Sequence, residues 1–223
     1  MNVVIRRSRR RTTIALRVTR TDVVLHAPHG VPEPDLLNWV ERKRGWIEKA
    51  QAHFAQRTPH HHTLEDGSTL PLLGQTLTIR RGPHESVTRH GEELHVPDLP
   101  HPQLLGHVEH WYREQALAYF TPLSHELAAR LGRAPRDVKL TEARTRWGSC
   151  TASGVLRYNW RVLLGPPDVA RYLCAHEVAH LRELNHSARF WTHVATLCPT
   201  YAQDRRRLRE EGWKYNLNAE PTR

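Results

Sequence analysis

At 223 residues and 39% apolar content, the chain can bury a core as one domain or two small ones, and it has no run of about 18 apolar residues to cross a membrane. Three cysteines (Cys150, Cys174 and Cys198) without a CxxC pair argue against a disulfide scaffold and for a reducing cytoplasm, and residues 1–7 lack the apolar stretch of a secretory signal. The net charge of +10, carried almost entirely by arginine, reads either as compositional bias or as attraction to a polyanion such as nucleic acid, with Arg9, Arg10 and Arg11 as candidate contacts.

In chain order, residues 3–5, 12–18 and 23–27 are rich in β-branched side chains and read as strands. A turn at Thr21-Asp22 makes the second and third a hairpin. Pro32 to Asp35 opens a helix placed at 34–56, with Leu36, Leu37, Trp39, Val40, Trp46 and Ile47 at helical spacing and the tryptophans read as core. Residues 58–67, including His60-His61-His62, read as a solvated loop. Residues 70–79 form a second hairpin, and 86–88 with 93–97 a third. A long helix begins near Pro102, its buried stripe including Leu104, Val108, Trp111, Tyr112 and Phe120. Pro122 kinks it or opens a second helix, and Gly132 ends it. Strands are expected at 138–140 and 155–160, and helices from about Pro166 to Leu184, at 187–197 and at 199–212.

The third of these last elements carries His176-Glu177-Val178-Ala179-His180. Two histidines four residues apart share one helix face, so both imidazoles reach one metal ion. The glutamate between them stands near that ion as a general base for a metal-activated water. An arginine-rich helix with two chance histidines is the bland alternative, but an apolar helix body of Ala175, Val178, Ala179 and Leu181 gives buried charge no structural reason. A catalytic zinc keeps three protein ligands and an open position. His186 can be the third only if the helix stops after His180, since six helical residues leave it about 120° off the ligand face. Asn185 is the expected left-handed residue of that turn, and Ser187 the N-cap of a new helix. The His spacing equals the metzincin pattern, but Glu183 stands where that pattern has glycine. Glu210 and Glu211 are the other candidates for third ligand.

The runs Arg146-Trp147-Gly148-Ser149-Cys150, Asn159-Trp160-Arg161, His176-Glu177-x-x-His180 and Asn185-His186-Ser187-x-x-Phe190-Trp191 resemble the YgjP-like metallopeptidase domain family, itself similar to the WLM and SprT-like zinc proteases. The Ala27-Pro28-x-Gly30-Val31 segment and Trp46-Ile47 extend the resemblance over nearly the whole chain. It implies one catalytic Zn2+ on His176, His180 and His186, with Glu177 as base. The expected fold class is α+β: an antiparallel β-rich N-terminal region over 1–100 with one helix, and a zincin-like (minimal gluzincin-like) core over 101–223 with an active-site helix and a small sheet.

The expected activity is a zinc-dependent peptidase acting on protein or peptide. Arg146, Trp147, Gly148 and Ser149 form either an edge strand that pairs with an extended peptide or a structural strand with Trp147 as core. Arg146, Tyr158 and Tyr201 are candidates to stabilise an oxyanion. A second reading keeps the metal but cleaves a nucleotide phosphoanhydride, drawing on Arg144, Arg146, Arg157 and Arg182; no phosphate-cradling glycine-rich loop supports it. A third makes nucleic-acid contact primary, as a binding module or a nucleic-acid-associated protease. No membrane partner is expected, and the spacing gives no oligomeric state.

Overall fold

The structure, a computed structural model, describes residues 3–18, 22–55, 62–143 and 145–217. It is a mixed α+β chain of small sheets and, among the described residues, six α-helices, and it divides into two compact units, Met1–Pro59 and His60–Ala219.

In the first unit, β1 (Val3–Ser8), β2 (Ala15–Val18) and β3 (Val23–Pro28) form a sheet of order β1-β3-β2. β2 and β3 pair antiparallel, as the hairpin reading expects, although Thr21 of its turn lies outside the described residues. β1 pairs parallel with β3, so this part is not purely antiparallel. Alternation along β3 buries Val23, Leu25 and Ala27 on one face, where Leu36, Val40 and Ile47 cover them. The single helix expected over 34–56 is two: α1 (Glu33–Arg42) and α2 (Arg44–Ala55). Lys43 ends the first at φ −100° and ψ 2°, its N–H bonding Val40 O at 2.9 Å in a tighter turn. That break lets Val40 and Ile47 both reach the sheet and leaves Trp46 outside, 55% exposed, against the expectation of a core tryptophan.

The second unit opens on a four-stranded sheet. Its first sheet, of order β4-β5-β7-β6, comprises β4 (Thr69–Leu72), β5 (Gln75–Gly82), β6 (Thr88–His90) and β7 (Glu93–Pro97). Leu70, Leu77, Ile79, Leu94 and Val96 of this sheet share one core with the helices that follow, which joins the sheet to that unit. Both expected hairpins are present, and a parallel β5–β7 pairing connects them. Leu73 and Gly74, at φ 48° and 79°, form the tight two-residue turn between β4 and β5.

α3 (His101–Arg130) continues through Pro122 as one helix, so the second helix expected there does not open. Its stripe from Leu104 to Leu127 is buried on both sides of the proline, and this packing holds the helix together where one backbone bond is lost. Gly132, at φ 61°, ends it as expected, with Arg133 N bonding Ala128 O.

The last sheet, β8-β10-β9, is built from β8 (Asp137–Leu140), β9 (Gly148–Cys150) and β10 (Val155–Tyr158). β10 lies parallel to β8 and antiparallel to β9, which leaves β9 at an edge. Trp160 falls in a 3-10 turn, Trp160–Leu164, rather than in the strand. Three residues of the Asn-Trp-Arg run explain one another here. Asn159 donates from Nδ2 to Ala143 O and from its backbone to Trp147 O. Arg161 bonds Glu142, and its guanidinium lies 4.5 Å from the Trp160 ring centre. They hold both ends of the segment that enters β9.

Candidate metal centre

α4 (Pro167–Ala179) carries the site. Its body is buried through Val169, Ala170, Leu173, Cys174, Ala175, Val178 and Ala179, so the helix is fixed on several faces at once. The helix ends at Ala179, with His180 as its C-cap, earlier than the end expected near Leu184. Tight bonds from Leu181 N to Val178 O and from Arg182 N to Ala179 O then fold the chain back. Arg182 also donates to Leu131 O, which ties this turn to the end of α3.

Asn185 is not left-handed: among the described residues the one non-glycine with positive φ is Leu73. Asn185 turns the chain through its side chain instead, Oδ1 accepting from Ser187 N at 2.9 Å. Ser187 then caps α5 (Ala188–Leu197), accepting from Phe190 N as expected. A side-chain acceptor thus does what positive φ does elsewhere.

This turn brings His176, His180 and His186 together, one ring nitrogen of each lying within 4.8 Å of the others. Nε2 of His176 and Nε2 of His186 are 3.2 Å apart. A tetrahedral ion with metal–nitrogen bonds of 2.0–2.1 Å holds its donors about 3.3 Å apart, so the His176–His186 pair has the spacing of two such donors. His180 Nδ1 lies 3.0 Å from Glu183 O, a pure acceptor, so Nδ1 carries the proton and Nε2 keeps its lone pair. Glu183, which stands at the metzincin glycine position, therefore contributes its carbonyl. Tyr172, one turn before His176, places its OH 3.5 Å from His176 Nδ1. That residue was missed in the sequence, though its four-residue spacing to His176 could have found it.

Phe190 forms the apolar floor, its ring centre 4.9, 4.5 and 4.7 Å from those of His176, His180 and His186. Burial, with the neighbouring imidazoles, holds His176 down at about 3 and lowers His180, so both are neutral donors. His186 is exposed, which leaves the group open on that side.

Glu177 is 4% exposed, and burial pushes its carboxyl up to about 8 against the opposing charge of Arg146. A cation beside it favours the ionised form. Its neighbour is Gly148 of β9. A Cβ on Gly148 would stand 2.5 Å from Glu177 Oε1, so glycine is required there for space. Of the other candidates, Trp147 is half-buried, packed on Gly212 with Tyr215 edge-on at 5.9 Å, which is a structural placement. Ser149 pairs with Arg157 on β10, and Arg146 is exposed.

Tyr158 cannot stabilise an oxyanion: it is fully buried, its OH 2.9 Å from Ser124 Oγ and its ring stacked on Phe120. Tyr201 stacks on Trp191. Glu210 and Glu211 are not in the histidine group, and they pair with Arg206 and Arg207 on α6 (Tyr201–Glu211). Arg182 is spent on Leu131 O, which removes one arginine from the phosphate reading; Arg144 lies outside the described residues, as do His60 and His61. A shallow concavity on the second unit's first sheet, lined by Gln75, Thr76, Arg89, Gly91 and Glu92, contains none of these groups.

A family model described as YgjP-like, metallopeptidase domain, matches residues 12–211. No curated protein and no solved structure matches the chain.

Proposed function

The chain belongs to the YgjP-like metallopeptidase family, and from that premise we propose that it is a zinc-dependent peptidase with a zincin-like core in residues 101–223. The observation that carries the reading is the convergence of three imidazole nitrogens at the end of the helix that also carries the buried Glu177. Three imidazole nitrogens and an open side suit one Zn2+ on His176, His180 and His186. Such an ion polarises water and brings its pKa towards ~7.

Glu177 accepts a proton from the attacking water and passes it to the leaving amine. The burial that raises its pKa also makes it a stronger base than an exposed carboxylate. Arg146 supplies a positive charge on the same side and favours the ionised starting state. An extended peptide adds to the outer edge of β9 by backbone pairing, where Gly148 brings the strand directly against Glu177. Ser149 lies on the same edge, and Trp147 anchors the strand to the C-terminal segment.

Three unpaired thiols suit a reducing cytoplasm, and among the described residues no helix is long and apolar enough to cross a membrane. The expected outcome of a peptide-library assay run beside a nucleotide screen is cleavage of peptides alone. Nucleotide hydrolysis without peptide cleavage would establish the phosphoanhydride reading instead.

His186→Ala tests the third ligand. His186 is exposed, so the fold should persist. Loss of outer-shell partners already costs 10–100-fold in metal affinity, so loss of a ligand should cost at least about 100-fold. Unchanged affinity would remove His186 and return Glu210 or Glu211 as the ligand.

A further inference from the structure

The first unit carries a disproportionate share of the positive charge. Residues 1–59 hold twelve basic and five acidic side chains, a net +7 of the chain's +10. Uniform arginine bias would not concentrate charge in this way. Within the unit the asymmetry sharpens: residues 1–32 hold seven arginines and one acid, Asp22, whereas residues 33–59 hold five bases and four acids. The strand layer is basic and the helix layer is nearly neutral.

Register places part of that charge on one face. Side chains of paired residues point to the same side of a sheet. Leu16, Leu25 and Ile5 face the helices with the rest of the buried cluster. The alternate residues face outward: Val4, Val24 and Arg17 in one row, and Arg6, His26 and Ala15 in the next. Arg6 and Arg17 are exposed, and the exposed turn after β1 adds Arg9 and Arg10, followed by Arg11. Arg6, Arg9, Arg10 and Arg11 sit in no ion pair with a carboxylate among the described residues. Arg7 differs, because its guanidinium is used within the unit to bond His29 O and Val31 O.

We infer that this outer sheet face, with the turn after β1, binds the phosphate backbone of duplex nucleic acid. Strand spacing of about 4.8 Å and a rise of about 3.4 Å per residue set Arg6 and Arg17 roughly 12 Å apart at the backbone. That spread, continued by Arg9, Arg10 and Arg11 in the turn after β1, offers more cation positions than one phosphate can occupy and favours a ligand with repeated phosphates. Arginine forks bind such oxygens bidentately. The outward rows carry no Phe, Tyr or Trp on which unpaired bases could stack, and His26 is the one ring among them, so backbone contact is favoured over single-strand readout. A membrane fits less well, because the larger exposed apolar groups of this unit, Leu37 and Trp46, lie on the helix layer and only the small side chain of Val4 is exposed among the arginines. The inference is independent of the hydrolytic reading.

The test is fluorescence anisotropy of the full chain with a labelled DNA duplex across a salt series. With about four to five phosphate contacts, affinity should fall roughly 10²-fold between about 50 and about 200 mM salt. Each contacting arginine removed should make the log–log slope shallower by about 0.9. Arg9→Ala/Arg10→Ala/Arg11→Ala and Arg6→Ala should therefore both flatten it. Arg206→Ala/Arg207→Ala, which removes arginines already paired with Glu210 and Glu211, should not. Glu177→Gln should bind as the native chain does. Absence of binding at low salt, or a slope unchanged in both N-terminal variants, overturns the inference. So does tighter binding to phosphatidylserine vesicles that is lost in the same variants, which would assign the face to a membrane.

Discussion

Glu177→Gln is expected to lower kcat/KM for peptide hydrolysis about 10³-fold while leaving the bound metal in place. The size follows from what general-base catalysis contributes, about 10²–10⁴-fold. Glutamine has nearly the same shape, so its amide still fits against Gly148 in a position that is 4% exposed. It cannot accept the proton. The histidine group is untouched, since its nitrogens are held by the α4 helix, the Asn185 turn and Glu183 O. Metal content by elemental analysis and turnover on one peptide are the two measurements. Retained turnover would rule out Glu177 as the base, and lost metal would make it a ligand.

Gly148→Ala should reduce kcat about 10²-fold and destabilise the fold by about 1–3 kcal/mol, through crowding rather than lost chemistry. The new Cβ would lie 2.5 Å from Glu177 Oε1 and 2.8 Å from Cδ and Cγ. β9 cannot easily withdraw, because Gly148 is in register with Tyr158 on β10. The carboxylate must therefore move. Backbone strain plays no part, since Gly148 has no positive φ. Combining the change with Glu177→Ala isolates the cause: removal of the glutamate side chain should abolish most of the stability penalty. Strict additivity of the two in thermal unfolding would show that the clash is not the source.

Several features were legible because they rest on local chemistry. The His176–His180 spacing fixes a shared helix face. Ser187 caps the next helix through its own hydroxyl, and Gly132 ends α3 because glycine tolerates positive φ. Other features were misread where one local cause can be replaced by another. Asn185 offered either a left-handed backbone or a side-chain acceptor, and the chain uses the acceptor. Pro122 removes one helical bond, but a stripe buried from Leu104 to Leu127 outweighs that loss. Lys43 carries no helix-breaking chemistry at all; the break there serves the packing of Val40 and Ile47 on the sheet.

The amino-acid sequence by itself determined the donor types, the carboxylate between them and the need for a turn before His186. These follow from helical periodicity and coordination chemistry, which act over a few residues. The tertiary structure alone decided that Gly148 stands against Glu177, that Glu183 lends its carbonyl to His180, and that Tyr158 is buried away from the site. It also decided the parallel pairings of β1 with β3 and of β5 with β7. Each of these depends on which surfaces meet when apolar area is withdrawn from water, and no spacing along the chain encodes that directly.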